Sequence, residues 1–376
     1  MRREFIVMPI AILFMILGVL VGIFRYANLY NINIYLFVEF YPIHPHIIIY
    51  GFISLLILFE RYMGITNNSL RNILKLGIIV NAVSMILLII TSYIDIPIFG
   101  WMAYNLFYVP PAAYLFFLIT YRRYIVGPAL SLEILSMIIY FYGVYTLSIN
   151  IERIVSATYL LLFPTLFILG ERLELIKFVP VKRIYGMSII YISGLLALLL
   201  NPFLIGLVTD IRMLVGDVIL ITALVLLVSS QDIGLKKSVG EDEAYTYLRR
   251  HLAVSYIFLY LGLLAGVAYL SLSPPMNLYD LYIHFIALGF IGSMLIGHGP
   301  IIISRLLGMK PLFRYTPLYL LILSISTRAV TDLLYLWMPQ ILNTLLILIS
   351  SVSILVVIPA ILYNIVIHNV VGGKRI

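Results

Sequence analysis

The run from Ile43 to Phe52 places His44, Pro45 and His46 at the head of an otherwise apolar stretch. Imidazole coordinates transition metals and titrates near neutral pH. In hydrocarbon it is costly unless it has a partner. The chain holds six histidines, His44, His46, His251, His284, His298 and His368, and no cysteine. Disulfides, thiolate metal sites and haem attachment through Cys-x-x-Cys-His are thereby excluded. Any metal or haem must hang on other ligands, histidine first. No Gly-x-Ser-x-Gly, His-Glu-x-x-His or P-loop pattern is present, so hydrolytic and nucleotide chemistry has no frame.

The elements that carry these histidines follow from composition. Of 376 residues, 63% are hydrophobic and 11% charged, too few charges to coat a water-facing globule. The expected class is an all-α, polytopic membrane helix bundle. The first apolar run, Phe5 to Phe24, is long enough to span and has no small-residue cleavage site after it, so it reads as a retained membrane helix. Runs of the roughly 20 residues needed to cross hydrocarbon number twelve. They cover residues 5–25, 44–63, 73–93, 98–120, 128–149, 154–175, 184–208, 211–229, 250–271, 278–303, 313–337 and 340–367. One connection is long and polar, residues 231–249. The expectation is a single domain, 1–376, with eight spans in 1–229, a cytoplasmic linker at 231–249 and four spans in 250–376.

Charge sets the orientation. With the N-terminus cytoplasmic, 20 of the 24 Lys and Arg residues fall on the inner side, leaving only Arg25, Arg153, Arg212 and Arg328 outside. That bias obeys the positive-inside rule and places both termini in the cytoplasm. The net charge of +8 then suits anionic lipid of the inner leaflet of the cell membrane, and no nucleic-acid partner is implied. The amphipathic stretch 28–41 is expected along the outer surface, roofing the start of the second span.

Depth sorts the histidines. The second and tenth spans both run from outside to inside. At 1.5 Å per residue His46 lies roughly 6 Å and His284 roughly 10 Å below their span starts. His44 and His46 are two apart and point roughly 200° away from each other on a helix, so at most one faces a pocket shared with His284. The deeper His46 is the candidate. His298 lies roughly 21 Å below His284 and stands alone at the inner end. His251 and His368 read as interfacial. For His284 two readings stand, a ligand or an imidazole hydrogen-bonded to a backbone carbonyl or a tyrosine.

Two of these stretches resemble a known family. Residues 44–51 fit a His-x-His-x-Met-x-Phe-Gly pattern in spacing, although Ile47 stands where glutamate is common. Residues 284–294 fit His-x4-Gly-x2-Gly-x-Met. Together with 167–175, 294–303 and 326–334 they resemble the NnrS family, twelve-helix membrane proteins containing haem and copper and linked to nitric oxide. A wider resemblance joins the chain to subunit I of haem–copper oxidases, where the second and tenth helices supply axial histidines. The paired histidines and the His-x3-Tyr of the oxygen-reducing centre are missing from the seventh and sixth spans, so a complete terminal oxidase is not implied.

The resemblance implies a b-type haem between the second and tenth spans near the outer face, with His46 and His284 as axial ligands. It further implies redox chemistry or binding of NO or another diatomic, an electron-transfer partner, and copper. The metal-ligand candidates are His46, His284, His44 and His298. His44 is also a candidate for a propionate or a helix cap. Gly289 and Gly292 allow close approach of a macrocycle, or else ordinary helix contact. Arg328 is the candidate cation for a propionate, or else the i,i+4 partner of Asp332. An inner polar cluster of Glu171, Arg172 and Glu174, open to Glu60, Arg61 and Glu133, is a proton or metal inlet with His298 or a salt-bridge latch. The competing class is a secondary transporter or metal permease. For it speak Pro110, Pro111, Pro164 and Pro202 within spans; against it, polar mid-span groups are few, namely Asn81, Ser84, Asn105, Ser193 and Asp217. No repeat between the halves is legible.

Overall fold

The computed structural model describes most of residues 7–174 and 242–367, with short pieces of 222–235. The seventh expected span, most of the eighth, much of 28–41 and His368 lie outside the described residues, as do Ser193, Pro202, Arg212 and Asp217. What is described is helical and has no strand. Among the described residues eight helical stretches, Pro97–Thr120 taken as one, are long and apolar enough to cross a membrane, the make-up of a membrane protein. The chain divides into two compact units, Met1–Lys177 and Phe178–Ile376.

The first unit contains α1 (Val7–Leu29), α2 (His44–Gly64), α3 (Asn68–Ile94), α4 (Pro97–Leu106), α5 (Val109–Tyr121), α6 (Gly127–Ser148) and α7 (Arg153–Glu174). Their boundaries have local causes. Pro45 sits in the first turn of α2, where its missing N–H costs nothing. The Asn67 side chain accepts hydrogen bonds from the N–H groups of Ser69 and Leu70, capping α3. Pro110 and Pro111, expected inside one span, instead open a new helix: the chain turns at Phe107 and Tyr108, and α5 begins at Val109. A proline in a first turn breaks no hydrogen bond, whereas in mid-helix it would.

The second unit contains α8 (Glu243–Leu272), α9 (residues 276–307), α10 (Thr316–Leu334) and α11 (residues 340–367). Helix α8 starts seven residues before the expected 250, because Asp242 accepts the Tyr245 N–H at 2.7 Å and caps it there. Part of the expected linker is therefore helix. Asp232 is buried and holds α8 through the Tyr256 hydroxyl at 3.0 Å. Helix α8 lies along α9, and α10 pairs with α11 around Phe258, Ile296, Leu321, Ile325 and Val357. Two serines join α10 to α11: Ser324 donates to the Ser350 carbonyl at 2.8 Å, and Ser350 to the Ser324 carbonyl at 2.9 Å.

In the first unit one arginine ties helices together. Arg61 on α2 reaches Glu133 on α6 at 3.0 Å and Glu171 on α7 at 3.1 Å. The hydroxyl of Tyr114 on α5 donates to the other Glu133 oxygen at 3.1 Å. Gly170 permits this closeness, since a Cβ there would stand 3.1 Å from Glu133 Cγ. Of the expected inner cluster, Glu171 belongs to this latch, Arg172 is buried nearby in sequence, and the Glu174 side chain lies outside the described residues. Glu133→Ala is expected to cost about 3 kcal/mol, the low end for breaking a buried ion pair. Glu171→Ala, whose carboxylate is 27% exposed, should cost about 1 kcal/mol or less. Thermal-shift measurements on the detergent-solubilised protein compare the two.

Candidate functional site

Both candidate histidines sit immediately before a stretch of π winding. His46 precedes Ile47–Ile53 and His284 precedes Phe285–Gly292. Such segments carry one residue more per turn than an α-helix and recur at functional sites. Their loosened carbonyls need donors. In the first unit Asn81 on α3 donates to the Tyr50 carbonyl at 2.6 Å and accepts from the Tyr140 hydroxyl at 3.2 Å. Asn81 is thus a clamp on the wound segment. The other polar groups expected near mid-span turn on their own helices: Ser84 donates to the Val80 carbonyl and Asn105 to the Trp101 carbonyl.

The two histidine segments are built alike, a repeat that comparison of the halves does not reveal. Phe14-x3-Gly18-x3-Gly22 on α1 precedes His46-x4-Gly51-Phe52-Ile53, and Phe258-x3-Gly262-x3-Gly266 on α8 precedes His284-x4-Gly289-Phe290-Ile291. The contacts repeat with the letters. A Cβ on Gly18 would strike Ile47 and Ile48, one and two residues past His46; on Gly262 it would strike Phe285 and Ile286, one and two past His284. Gly22 faces His44 and Gly266 faces Tyr282, each two before the histidine. Gly51 faces Phe14, and Gly289 faces Phe258. Each unit therefore holds one copy of a hairpin in which a glycine seam lets the preceding helix approach the wound segment closely. The copies are hidden in the sequence because the phenylalanine precedes the histidine by 46 − 14 = 32 residues in one and by 284 − 258 = 26 in the other.

Around His46 the surroundings are buried and aromatic. The residue is 6% exposed, and neither ring nitrogen has a hydrogen-bond partner among the described residues. The Ile43 carbonyl bears on the ring without reaching hydrogen-bond geometry. The Tyr50 ring lies 6.0 Å away and contacts Tyr140 at 4.4 Å and Phe107 at 5.2 Å. The Tyr50 hydroxyl is also buried without a partner, and the bare backbone of Gly143 makes room for it. His44 diverges from His46, as expected for residues two apart, and lies against Gly22 of α1.

Around His284 the arrangement differs. Nδ1 lies 2.8 Å from the Asp280 carbonyl and 3.3 Å from the Asp280 carboxylate. With the proton on Nδ1, the lone pair is on Nε2. Arg328 on α10 grips the same carboxylate through two hydrogen bonds, Nε at 2.6 Å and Nη2 at 3.0 Å. This pair of Arg328 with Asp280 across two helices was not foreseen. Asp332, the expected partner, is buried beside them on α10. The guanidinium, a candidate for a propionate, thus spends its Nε and one Nη on Asp280.

The remaining candidates separate. Gly289 serves close helix contact, with a Cβ 2.5 Å from Phe258 Cβ, whereas Gly292 has only ordinary contact, 3.6 Å, with Leu321. His298 holds the Met294 carbonyl of its own helix at 2.8 Å. His251 is wholly buried within the protein. Its Nδ1 meets the Tyr247 carbonyl at 2.8 Å, its ring lies 4.1 Å from that of Tyr247, and its Nε2 is buried without a partner. Among the described residues no three His, Asp or Glu side chains gather as a metal-ion site.

The model of a family described as a domain of unknown function, DUF8744, matches residues 3–364, and the chain belongs to that family. Comparison with curated proteins and with solved structures gives no match.

The seam carries a clear expectation. Gly289→Ala must displace the base of Phe258, and overpacking of this kind costs about 1–3 kcal/mol. Gly292→Ala should stay within about 0.5 kcal/mol of the parent. Thermal-shift midpoints of the two variants, compared side by side, measure the difference.

Proposed function

We propose that this chain is a multi-pass protein of the cell membrane, with twelve spans and both termini cytoplasmic, that binds a b-type haem for redox or nitric-oxide-related chemistry, with His46 and His284 as the candidate ligands. The observation that carries the reading is the orphaned imidazole of His46. A buried polar group left unpaired costs about 1–3 kcal/mol, and both of its nitrogens are in that state. A coordinating group removes the penalty. His284 complements it: an Nδ1 held by a carbonyl and a carboxylate is the arrangement that fixes the tautomer and orientation of metal-ligating histidines. The resemblance to the NnrS family supplies the identity of the group, and the charge bias along the sequence supports the orientation.

A haem asks for one or two imidazoles, and His46 with both ring nitrogens unpaired among the described residues, or His284 with Nδ1 held, is of the kind that could supply one. Among the described residues no three such donors gather, and copper stays part of the proposal only through the family resemblance. A haem held in this way supplies one-electron chemistry and binding of diatomics. The chain's own part is to position. Asn81 fixes the wound segment after His46, the glycine seams set both hairpins, and Asp280 with Arg328 holds the His284 ring. Tyr50, packed on Phe107 and Tyr140, covers the buried His46 ring from 6.0 Å.

Protein purified after haem-supplemented expression should show a Soret band and reduced-minus-oxidised bands of a b-type haem. The double variant His46→Ala/His284→Ala should lose them. Elemental analysis for iron and copper on the same sample decides between haem alone and haem with copper. Absence of any haem band from the parent protein would sink the reading and return the chain to the carrier class.

A further inference from the structure

Pro110 and Pro111 break no hydrogen bond within α5, but they change the turn that precedes it. A continuous helix would answer the carbonyls of Leu106 and Phe107 with the N–H groups of residues 110 and 111, and proline has none. Across the break the Phe107 N–H donates to the Ala103 carbonyl at 3.0 Å, Tyr108 to Asn105 at 3.4 Å and Ala112 to Tyr108 at 3.3 Å. Among the described residues no backbone N–H takes the Leu106 or the Phe107 carbonyl. The break lies midway along the stretch Pro97–Thr120, and Phe107 is buried. At that depth a backbone polar group needs a partner from protein or from a bound ligand.

The wound segment of α2 meets the same place. The Tyr50 ring lies 5.2 Å from that of Phe107, and the Tyr50 hydroxyl is buried without a partner. Both interruptions lean on one turn of α3. A Cβ on Gly77 would lie 3.7 Å from Pro110 Cα, and Asn81, four residues on, holds the Tyr50 carbonyl. The groups gathered there are unbalanced. Two carbonyls and a phenol oxygen can accept, whereas Val109, Pro110 and Pro111 have one N–H between them. The C-terminal end of α4 adds the negative end of its dipole, and the prolines strip α5 of the N–H groups that would oppose it.

We propose that the break binds one monovalent metal cation, Na⁺ or K⁺, on the carbonyls of Leu106 and Phe107 with the hydroxyl oxygen of Tyr50 as side-chain ligand. Carbonyls freed at discontinuous membrane helices coordinate such ions, taking the place of their hydration shell. The charge of the ion follows from what is absent around it. Among the described residues the carboxylates of the first unit are Glu60, Glu133 and Glu171, and these stand near the end of α2, the start of α6 and the end of α7. A divalent ion at the break would bring two charges with no carboxylate to offset them, and burying such charge is costly. The site uses residues of the first unit alone and involves no haem, so it stands or falls apart from the reading above.

The full-length protein in detergent is exchanged into choline chloride and titrated with NaCl or KCl at constant total salt, with the thermal midpoint as readout. The parent should show a saturable rise with Na⁺ or K⁺, because a ligand that binds only the folded state stabilises it. Pro110→Ala/Pro111→Ala restores the two N–H donors, and should move the half-point of the response on the order of tenfold higher in concentration or abolish it. Tyr50→Phe should move it about fivefold, the worth of one hydrogen bond. Asn105, whose side chain turns back to the Trp101 carbonyl, is the control, and Asn105→Ala should respond as the parent does. Should the proline variant fail to run as a single species on size exclusion, Tyr50→Phe is read by the same rule. Equal responses to Na⁺, K⁺ and choline overturn the proposal. A selective response that the proline variant keeps, or that Asn105→Ala loses as fully, overturns it as well.

Discussion

Every polar group taken out of water in this chain has to be answered by another, and most of the structure can be traced to how that is done. Arg61 is answered by Glu133 and Glu171, Asn81 by the Tyr50 carbonyl, and Ser324 by Ser350. These pairs fix which helices lie side by side. Hydrocarbon gives apolar helix faces little reason to prefer one neighbour over another, so interhelical hydrogen bonds and close backbone approach carry much of the choice. Against that background the unanswered imidazole of His46 stands out. The helices of its unit are held by Arg61 with its two glutamates and by Asn81, so its lack of a partner among the described residues does not come from loose packing.

The glycine seams and the π-wound segments work as one device. Glycine in a helix is unfavourable by about 1 kcal/mol relative to alanine, yet each hairpin places two on the helix before its histidine and one after it. What is gained is a close approach between α1 and α2 in one unit and between α8 and α9 in the other. The added residue of the wound segment turns the rest of the helix relative to the histidine. The side chains at one and two residues past it then lie over the bare backbone of the seam. In the first unit Asn81 also satisfies a carbonyl of the wound segment. In this way local winding, close contact and a buried hydrogen bond set the position of one ring.

Much of this was legible in the sequence, and the rest was not for identifiable reasons. Span placement depends on runs of about 20 apolar residues, a signal strong enough that all ten expected spans within the described residues are helical. The divergence of His44 from His46 follows from helical spacing alone. The partners of Arg61 and Arg328 depend on which helices touch, and no local pattern joins Arg61 to Glu133, 72 residues away, or Arg328 to Asp280, 48 away. Asp332, four residues from Arg328, offered a simpler pair and concealed the longer one. The hairpin repeat was present as letters, Phe-x3-Gly-x3-Gly and His-x4-Gly-Phe-Ile, each twice. Motifs of so few fixed positions gain weight only when equal offsets turn out to make equal contacts. The charged residues before His251 were legible, but its packing against Tyr247 and Tyr315 depends on the fold.

That both hairpins lie on one polypeptide has a consequence for how they can evolve. In a symmetric pair of identical subunits each mutation appears twice, so neither copy can acquire a trait without imposing it on its twin. Tandem copies within a single gene are released from that restriction. Aspartate at position 280 and tyrosine at position 50 could therefore be selected separately, and the chain could specialise its two halves without needing a second kind of subunit.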